Sequence, residues 1–371
     1  MKSVFKVAGL LLVSVLWSGV PALAKGEFTK TIKKEFDITK DGTTSIYNKY
    51  GKVDIKTWDK NRVKIDVRIV VRASSESSAQ KVFDRIKIAF MNNPNYVKAE
   101  TTIEPTKNEW FTWGGNKSDF SIIYEVYMPP TNKLDLGTKY CDVYVAALQG
   151  EATANVSYGN FKMDGFSDNA RITLAYGNGT LSRARNVFFD AKYGNLNVQD
   201  AGDIEINSKY TTVSLEKAAD VRSNTKYDTY RVGQVKDFRN SGKYDNIEIR
   251  SAQTVVVTSQ YTNVKVENLA KSLDLNLEYG GAVVGTIAKG FSNVNLLGKY
   301  TDFKLGIEKG AAFHLDASTR YAGINYPSDM TVTYEYEKSS SHEVKGHVGG
   351  QNAGGTIKAR LDYGGLRVKQ E

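Results

Sequence analysis

The sequence is poor in cysteine, proline and histidine: one cysteine (Cys141), six prolines and three histidines among 371 residues. A single cysteine excludes an intrachain disulfide, so packing and backbone hydrogen bonds must stabilise the fold. His342 and His347 fall in a polar loop without a cysteine or an acidic cluster, and His314 stands apart. We therefore predict no metal site and no cofactor. Nucleophile-elbow, P-loop and metalloprotease motifs are missing, so no catalytic residue is predicted.

Long apolar runs are also scarce. The one near the N-terminus, Ala8 to Val20, follows Lys2 and Lys6 and precedes Ala22-Leu23-Ala24, a small-x-small cleavage pattern. It is too short to span a bilayer comfortably, and no later stretch approaches roughly 18 apolar residues. We predict that residues 1–24 are a cleavable signal peptide. The mature chain would then be periplasmic, cell-surface associated or secreted, without a transmembrane segment.

The charge balance is basic, with a formal net charge of +9. A positive charge favours anionic surfaces. Because an exported protein rarely meets nucleic acid, the predicted partners are an anionic glycan, another envelope component or a partner protein.

Tyrosine, in contrast, is abundant and periodic. It recurs every 17 or 18 residues from Tyr140 to Tyr279 and every 21 residues from there to Tyr321, while Tyr50 and Tyr363 show the same local pattern. Each tyrosine is followed by small or turn-forming residues and then by an alternating apolar strand, and another such strand precedes it. The sequence therefore predicts an all-β fold, a parallel β-solenoid with coils of about 17–18 residues.

The alternation also predicts where the tyrosines point. Leu273, Leu275 and Leu277 lead by twos to Tyr279, and side chains alternate faces along a strand. The tyrosine is therefore expected to face inward or to close the core at a corner. On this interpretation Tyr227→Ala would cost roughly 3–5 kcal/mol.

Segments that interrupt the repeat divide the mature chain. Residues 25–57 are predicted to be the first solenoid strands, and residues 58–133 a small α/β insert that caps the open end. In this insert Ser74 and Ser75 are predicted to cap a short helix, because Ala79, Val82, Phe83 and Ile86 follow at helical spacing. The solenoid repeats occupy residues 134–326. C-terminal strands and a Gly-rich loop, residues 327–371, are expected to close the solenoid.

The segment Lys49–Asp59 resembles the opening of a bacterial "putative adhesin" family of unknown function. It has a Gly-x-Val-x-Ile strand followed by Trp-Asp, and the alternating strand Val63–Val71 and β-repeats from Leu134 onwards continue the likeness. The resemblance implies an exported envelope protein with a β-repeat fold. Its motifs are strand and turn patterns, so it assigns no functional residues.

The residue before the tyrosine is repeatedly basic, and alternation points it outward. Lys192, Lys209, Lys226 and Lys243 are predicted to stack over four coils as a binding strip for an anionic glycan, lipopolysaccharide phosphate or teichoic-type polymer. The alternative is a solvated edge that discourages aggregation, helped by Asp228 and Asp245. The same basic position is found in three further coils: Lys139, Lys299 and Arg320.

A second candidate surface is aromatic. Trp110, Phe111 and Trp113 fall in a polar stretch of the insert, where exposed rings could stack on sugars or enter a membrane surface. Alternatively this loop folds back onto the first coil. Cys141, beside a tyrosine, is interpreted as a small turn residue.

These patterns favour a non-catalytic exported β-solenoid whose repetitive surface serves binding or adhesion to an envelope polymer, an anionic glycan or a partner protein. One alternative is a polysaccharide-active β-helix enzyme, although the coils are short and the outward acidic residues scattered. The other is a purely structural, envelope-stress accessory protein.

Overall fold

The computed structural model describes residues 25–105, 120–350 and 354–371. Within those ranges it has nineteen β-strands and one α-helix. Their bounds, in chain order, are β1 Gly26–Asp37, β2 Thr43–Thr57, β3 Arg62–Ala73, α1 Glu76–Arg85, β4 Ile86–Asn93, β5 Tyr96–Ile103, β6 Phe120–Met128, β7 Lys133–Val145, β8 Ala152–Ser157, β9 Phe161–Lys226, β10 Thr229–Lys243, β11 Asn246–Gln260, β12 Asn263–Ile287, β13 Asn293–Ile307, β14 Phe313–Arg320, β15 Ile324–Asn325, β16 Thr331–Lys338, β17 Ser341–Val348, β18 Gly355–Asp362 and β19 Leu366–Gln370.

The strands stack in parallel, one coil on the next. Strand β10 pairs with β9 on one side and with β11 on the other, so that Thr229 lies opposite both Thr212 and Asn246. Each of these register steps is 17 residues. Between β12 and β13 the step lengthens to 21 residues, from Ser272 to Asn293. The predicted all-β solenoid with short coils is confirmed, and its last coils are longer.

The core consists of apolar rows that run through the stack. Leu273 and Leu275 of β12 are buried and lie in register with Val255 and Val257 of β11, which are buried as well. Burial of apolar surface contributes about 25 cal/mol per Å². Because one coil cannot cover its own apolar face, each coil gains this stabilising free energy only by stacking on its neighbours.

The insert covers the N-terminal end of the stack. Strand β5 pairs in parallel with the first half of β2, and β6 with the second half, so the two together take the place of a preceding coil. Strand β3 runs antiparallel between β6 and β1, and β4 runs antiparallel to β5.

Helix α1 lies in this insert, as the sequence predicts. The Ser75 hydroxyl caps it by accepting a hydrogen bond from the Ser78 N–H at 3.2 Å, and Ala79 and Phe83 are buried. The helix ends at Arg85, where β4 begins. No helix in the described ranges is long and apolar enough to cross a membrane.

The C-terminal strands have an unexpected position. Strand β18 pairs in parallel with β13 on one side and β14 on the other, and β19 pairs with β13 and β15. The last segment of the chain is therefore inserted between two earlier coils. Strand β17 pairs antiparallel with β14 and carries β16 as an outer strand. Residues 327–371, expected to close the solenoid, therefore form two structures: the hairpin of β16 and β17 at its end, and the strands β18 and β19 inside the stack.

Candidate functional site

The periodic tyrosines form one corner of the solenoid, and all of them share an unusual backbone conformation. Their φ angles lie between 53° and 63°, in the left-handed region. That conformation costs an L-residue roughly 1–2 kcal/mol, which glycine would avoid. Because tyrosine nevertheless occupies this position in every coil, we infer that contacts of its ring offset the cost of the left-handed backbone. The set, hereafter the tyrosine ladder, comprises Tyr50, Tyr140, Tyr158, Tyr176, Tyr193, Tyr210, Tyr227, Tyr244, Tyr261, Tyr279, Tyr300, Tyr321 and Tyr363.

The tyrosines lie at a corner of the coil, one of the two positions that the sequence analysis allowed, but their rings point outward, so the expectation that they face inward is wrong. Eleven of them are 38–47% exposed, Tyr321 is 61% exposed and Tyr50 is half-buried. The left-handed residue turns the chain and resets the alternation of strand side chains. Lys226 and Tyr227 are therefore both exposed, whereas Asp228 is buried.

The rings stack on one another without a break. Neighbouring ring centroids are 4.7–5.1 Å apart along the whole ladder. Tyr363, on the inserted C-terminal segment, stacks between Tyr300 and Tyr321. At the other end Phe120 packs edge-on against Tyr50 at 5.7 Å. Because the ring faces cover each other, the surface offered to a ligand is a row of ring edges and hydroxyls.

The position after each tyrosine points into the core and holds glycine or a small residue. Asp228 and Asp245, expected from the sequence at the solvated edge, are buried there instead. Asp228 accepts hydrogen bonds from the Thr211 N–H at 2.7 Å and the Ser208 hydroxyl at 2.8 Å. Asp245 in turn accepts one from the Asp228 N–H at 2.9 Å. Side-chain oxygens thus take the place of backbone acceptors between coils.

Burial changes the acidity of this pair. Removal from water raises the pKa of the Asp228 carboxyl to about 6, although the hydrogen bonds from Thr211 and Ser208 oppose the shift. Burial also raises the pKa of Asp245. Cys141 occupies the equivalent position in an earlier coil and is 1% exposed, and burial raises the pKa of its thiol to about 12. The cysteine is therefore a packed core residue.

The four predicted lysines lie beside the ladder. Lys192 and Lys226 are exposed, and Lys209 and Lys243 are half-buried. The ammonium groups of Lys209, Lys226 and Lys243 lie 5.5, 5.4 and 5.2 Å from the centroids of the tyrosines that follow them. Lys226 and Lys243 are direct neighbours in the parallel register. Lys192 differs, because it forms a salt bridge with Asp190 at 3.0 Å.

Three of these cations have no acidic partner in the part of the chain that the structure describes. They are Lys209, Lys226 and Lys243, hereafter the lysine strip, and the ammonium group of each lies over a tyrosine ring. Further along the corner the basic residues are paired: Lys299 with Glu278 at 3.7 Å, and Arg320 with Asp362 through two hydrogen bonds. In an earlier coil Lys139 likewise lies over tyrosine rings, 5.1 and 5.5 Å from the centroids of Tyr140 and Tyr158. The lysine strip is therefore a run of three lysines on successive coils that lack an acidic partner among the described residues.

A groove beside three of the rings was missed by the sequence reasoning, although its signal is plain. The triplet Tyr-Gly-Asn occurs in three successive coils, at Tyr158–Asn160, Tyr176–Asn178 and Tyr193–Asn195. The nine residues of these triplets line one shallow, open depression, whose floor is the glycine backbone between the tyrosines and the asparagines. A Cβ at Gly177 would lie 1.9 Å from the Gly159 carbonyl oxygen, so only glycine fits the floor. We call this surface the Tyr-Gly-Asn groove.

The remaining candidate residues are the three aromatic residues of the insert and the histidines. Trp110, Phe111 and Trp113 lie outside the described residues. Within the described ranges no group of three or more His, Cys, Asp and Glu side chains could hold a metal ion. His342 and His347, expected in a polar loop, both lie in strand β17. The side chain of His342 is nearly buried: its Nδ1 accepts a hydrogen bond from the Ile324 N–H at 3.2 Å, and its Nε2 lies 3.1 Å from Glu335.

Comparisons with known proteins give distant likenesses. No family model matches the chain, and no curated protein matches it. A solved structure described as a "putative cell adhesion protein" from Clostridium sporogenes is 8% identical, with 93% of this chain and 100% of that chain covered and a TM-score of 0.20. "Putative adhesins" from Parabacteroides merdae and Bacteroides fragilis are each 11% identical, cover 92% of this chain and 96% and 97% of their own, and have TM-scores of 0.28 and 0.23. Likenesses at this level assign no function to this chain.

Proposed function

We propose that the protein is a non-catalytic, exported binding protein whose tyrosine corner holds a linear anionic polymer of the cell envelope. The observation that carries the proposal is the lysine strip: three cations on successive coils, without an acidic partner among the described residues. Export is supported by the charged and apolar pattern of residues 1–24.

The strip is electrostatically unfavourable in isolation. Like charges that lie opposite each other on neighbouring strands destabilise a sheet, and the coils bring these lysines within one strand spacing of each other, ~4.8 Å. A polymer with regularly spaced carboxylates or phosphates would remove that repulsion. The rings support this arrangement, because each ammonium lies 5.2–5.5 Å from the centroid of a tyrosine ring.

The shape of the surface favours a polymer over a small molecule. The strip follows the long axis of the stack and repeats with every coil, so a ligand that also repeats can contact all three cations. Tyrosine hydroxyls beside the strip add hydrogen-bond donors at the same period. Because the rings are stacked and held by parallel strands, little side-chain freedom remains to be lost on binding.

Charge reversal of the strip tests the proposal. Lys209→Glu/Lys226→Glu/Lys243→Glu should weaken binding of the mature protein to an anionic polymer about tenfold or more, and wild-type binding should fall as salt rises. The matched control reverses three exposed lysines elsewhere, Lys162, Lys217 and Lys271, with the same change in net charge. Binding is measured by biolayer interferometry on polygalacturonate and on a poly(glycerol phosphate).

The two polymers and one further assay separate the alternatives. Preference for polygalacturonate identifies a carboxylate ligand, and preference for poly(glycerol phosphate) a phosphodiester ligand. Equal losses in the strip variant and the control variant would show that only net charge matters and would refute the site. Shortening of the polymer during incubation, read by size-exclusion chromatography, would instead establish the alternative of a polysaccharide-active enzyme.

A further inference from the structure

The Tyr-Gly-Asn groove is a second surface, chemically distinct from the lysine strip. None of its nine lining residues is charged. At one end Asp142 is engaged by the Asn160 side chain at 3.0 Å, and the Lys139 ammonium lies 5.5 Å from the centroid of the Tyr158 ring. At the other end Lys192 is paired with Asp190. The lining itself offers a ligand hydrogen-bonding groups and no charge, which favours an uncharged ligand along the groove.

The asparagines line the groove as fixed hydrogen-bond donors. Nδ2 of Asn178 donates to Oδ1 of Asn160 at 3.0 Å, and Nδ2 of Asn195 donates to Oδ1 of Asn178 at 2.7 Å. Each amide nitrogen carries two hydrogens, and one of them is used in this row. The other has no partner among the described residues, so three oriented N–H groups on exposed side chains remain for a ligand.

The tyrosine side of the groove is equally regular. The ring centroids of Tyr158, Tyr176 and Tyr193 are 4.8 Å apart at both steps, with interplanar angles of 3° and 6°. Each coil thus presents one ring edge, one phenolic hydroxyl and one amide N–H at a constant step. A ligand can use all three sets only if its own hydrogen-bonding groups repeat along a line.

We propose that the Tyr-Gly-Asn groove binds a neutral linear polysaccharide that lies along the axis of the stack. Sugar hydroxyls accept from the free amide N–H groups and exchange hydrogen bonds with the tyrosine hydroxyls, and the glycine floor lets the chain approach the backbone. The groove is preorganised, because its amides already hold one another in place. The proposal does not depend on the lysine strip, and either site can fail without the other.

Binding of uncharged oligosaccharides to the mature protein tests the groove. Isothermal titration calorimetry with linear hexasaccharides (β-1,4-glucan, β-1,3-glucan, α-1,4-glucan and β-1,4-linked N-acetylglucosamine) should give saturable binding for at least one. The corresponding disaccharide should bind at least tenfold more weakly, because it spans fewer coils.

Two variants assign the binding to the groove. Asn160→Ala/Asn178→Ala/Asn195→Ala removes the donors and should weaken the hexasaccharide at least tenfold. Replacing the three groove tyrosines by phenylalanine keeps the stack, removes the hydroxyls and should also weaken binding. The matched control, Asn246→Ala/Asn263→Ala, changes asparagines at the same position of coils outside the groove and should bind as the wild type does.

Two outcomes overturn the proposal. One is the lack of saturable binding by any of the four hexasaccharides. The other is unchanged affinity in both groove variants, each shown to be folded by its circular dichroism spectrum and thermal unfolding. Failure here would leave binding of anionic polymers by the lysine strip intact, and failure of the strip would leave these titrations unaffected.

Discussion

Tyrosine occupies a backbone position at which glycine would be the least costly residue. The left-handed φ of Tyr227, 59°, is strained for any side chain. The ring lies between those of Tyr210 and Tyr244, with centroids 4.8 Å away on both sides. Stacked aromatic pairs contribute about 0.5–1.5 kcal/mol beyond the area they bury, which is comparable to the strain.

This balance revises the expected cost of truncating the ring. Tyr227→Ala should lower the free energy of unfolding by about 1–3 kcal/mol, from two stacking contacts, and not by the amount for a buried aromatic. Tyr227→Gly should be about 1 kcal/mol more stable than Tyr227→Ala, because glycine relieves the φ strain. Tyr227→Phe should stay within about 0.5 kcal/mol of the wild type. Urea unfolding followed by circular dichroism measures all three, and alanine proving more stable than glycine would contradict the strain.

Asp228 gives the protein a pH dependence of unusual sign. Its pKa is raised to about 6 in the folded protein, against about 3.9 in an unfolded chain, so the folded state binds more protons between these values. The contribution of Asp228 to the free energy of unfolding is therefore fully present below pH ~4 and is lost as pH rises towards about 6. Relative to Asp228→Asn, the wild type should therefore lose stability on the order of 2 kcal/mol across that window.

Urea unfolding at several pH values measures the difference in the free energy of unfolding between the wild type and Asp228→Asn. Asp203→Asn, at an exposed position, is the matched control and should run parallel to the wild type. A wild-type stability that rises from pH 4 to 6 relative to Asp228→Asn would mean that the buried carboxylate is better solvated than the structure indicates.

At the scale of elements, strand β18 links parts of the chain that are far apart in sequence. Its residues Thr356–Asp362 pair with Asn293–Lys299 of β13 on one side, and Gly355–Asp362 pair with Phe313–Arg320 of β14 on the other. Without β18, both neighbours would present unpaired strand edges. Exposed edges of this kind lead to aggregation or to pairing with another strand.

Deletion of residues 354–371 should therefore make the C-terminal coils sensitive to protease and prone to self-association. A synthetic peptide of residues 354–371, added in trans, should restore protection by refilling the gap. The same peptide with Ile357→Asp should not, because Ile357 is buried in the core. Limited proteolysis and size-exclusion chromatography report both effects. A truncated chain that remains monomeric and protease-resistant would show that the neighbouring coils close up by themselves.

At the scale of the whole molecule, one corner carries two neighbouring surfaces of different chemistry. The ladder passes from the uncharged groove at Tyr158–Asn195 to the cationic strip beside Tyr210, Tyr227 and Tyr244. The ring row is continuous across both. A long polymer lying along the stack could contact both segments, whereas a short uncharged chain is expected on the groove and a short anionic one on the strip.

Much of this architecture could be predicted from the sequence. The spacing of the tyrosines determined the coil length, and alternation of apolar residues determined the strands, because both depend on local geometry that repeats. The capped helix at Ser75 is likewise a local pattern. The sequence also located the lysines, because they directly precede the periodic tyrosines. It could not predict which of them lack acidic partners, since salt bridges depend on which coils become neighbours.

Only the tertiary structure decided the features that matter most for the candidate sites. The alternation of side chains between two faces assumes an extended backbone, and the left-handed conformation of the tyrosine interrupts it. The rings are therefore exposed, and Asp228 and Asp245 are buried. The Tyr-Gly-Asn triplets form a groove only once three coils are stacked in register. Tyr363 completes the ladder because the C-terminal segment returns between two earlier coils, a long-range pairing that no local pattern specifies.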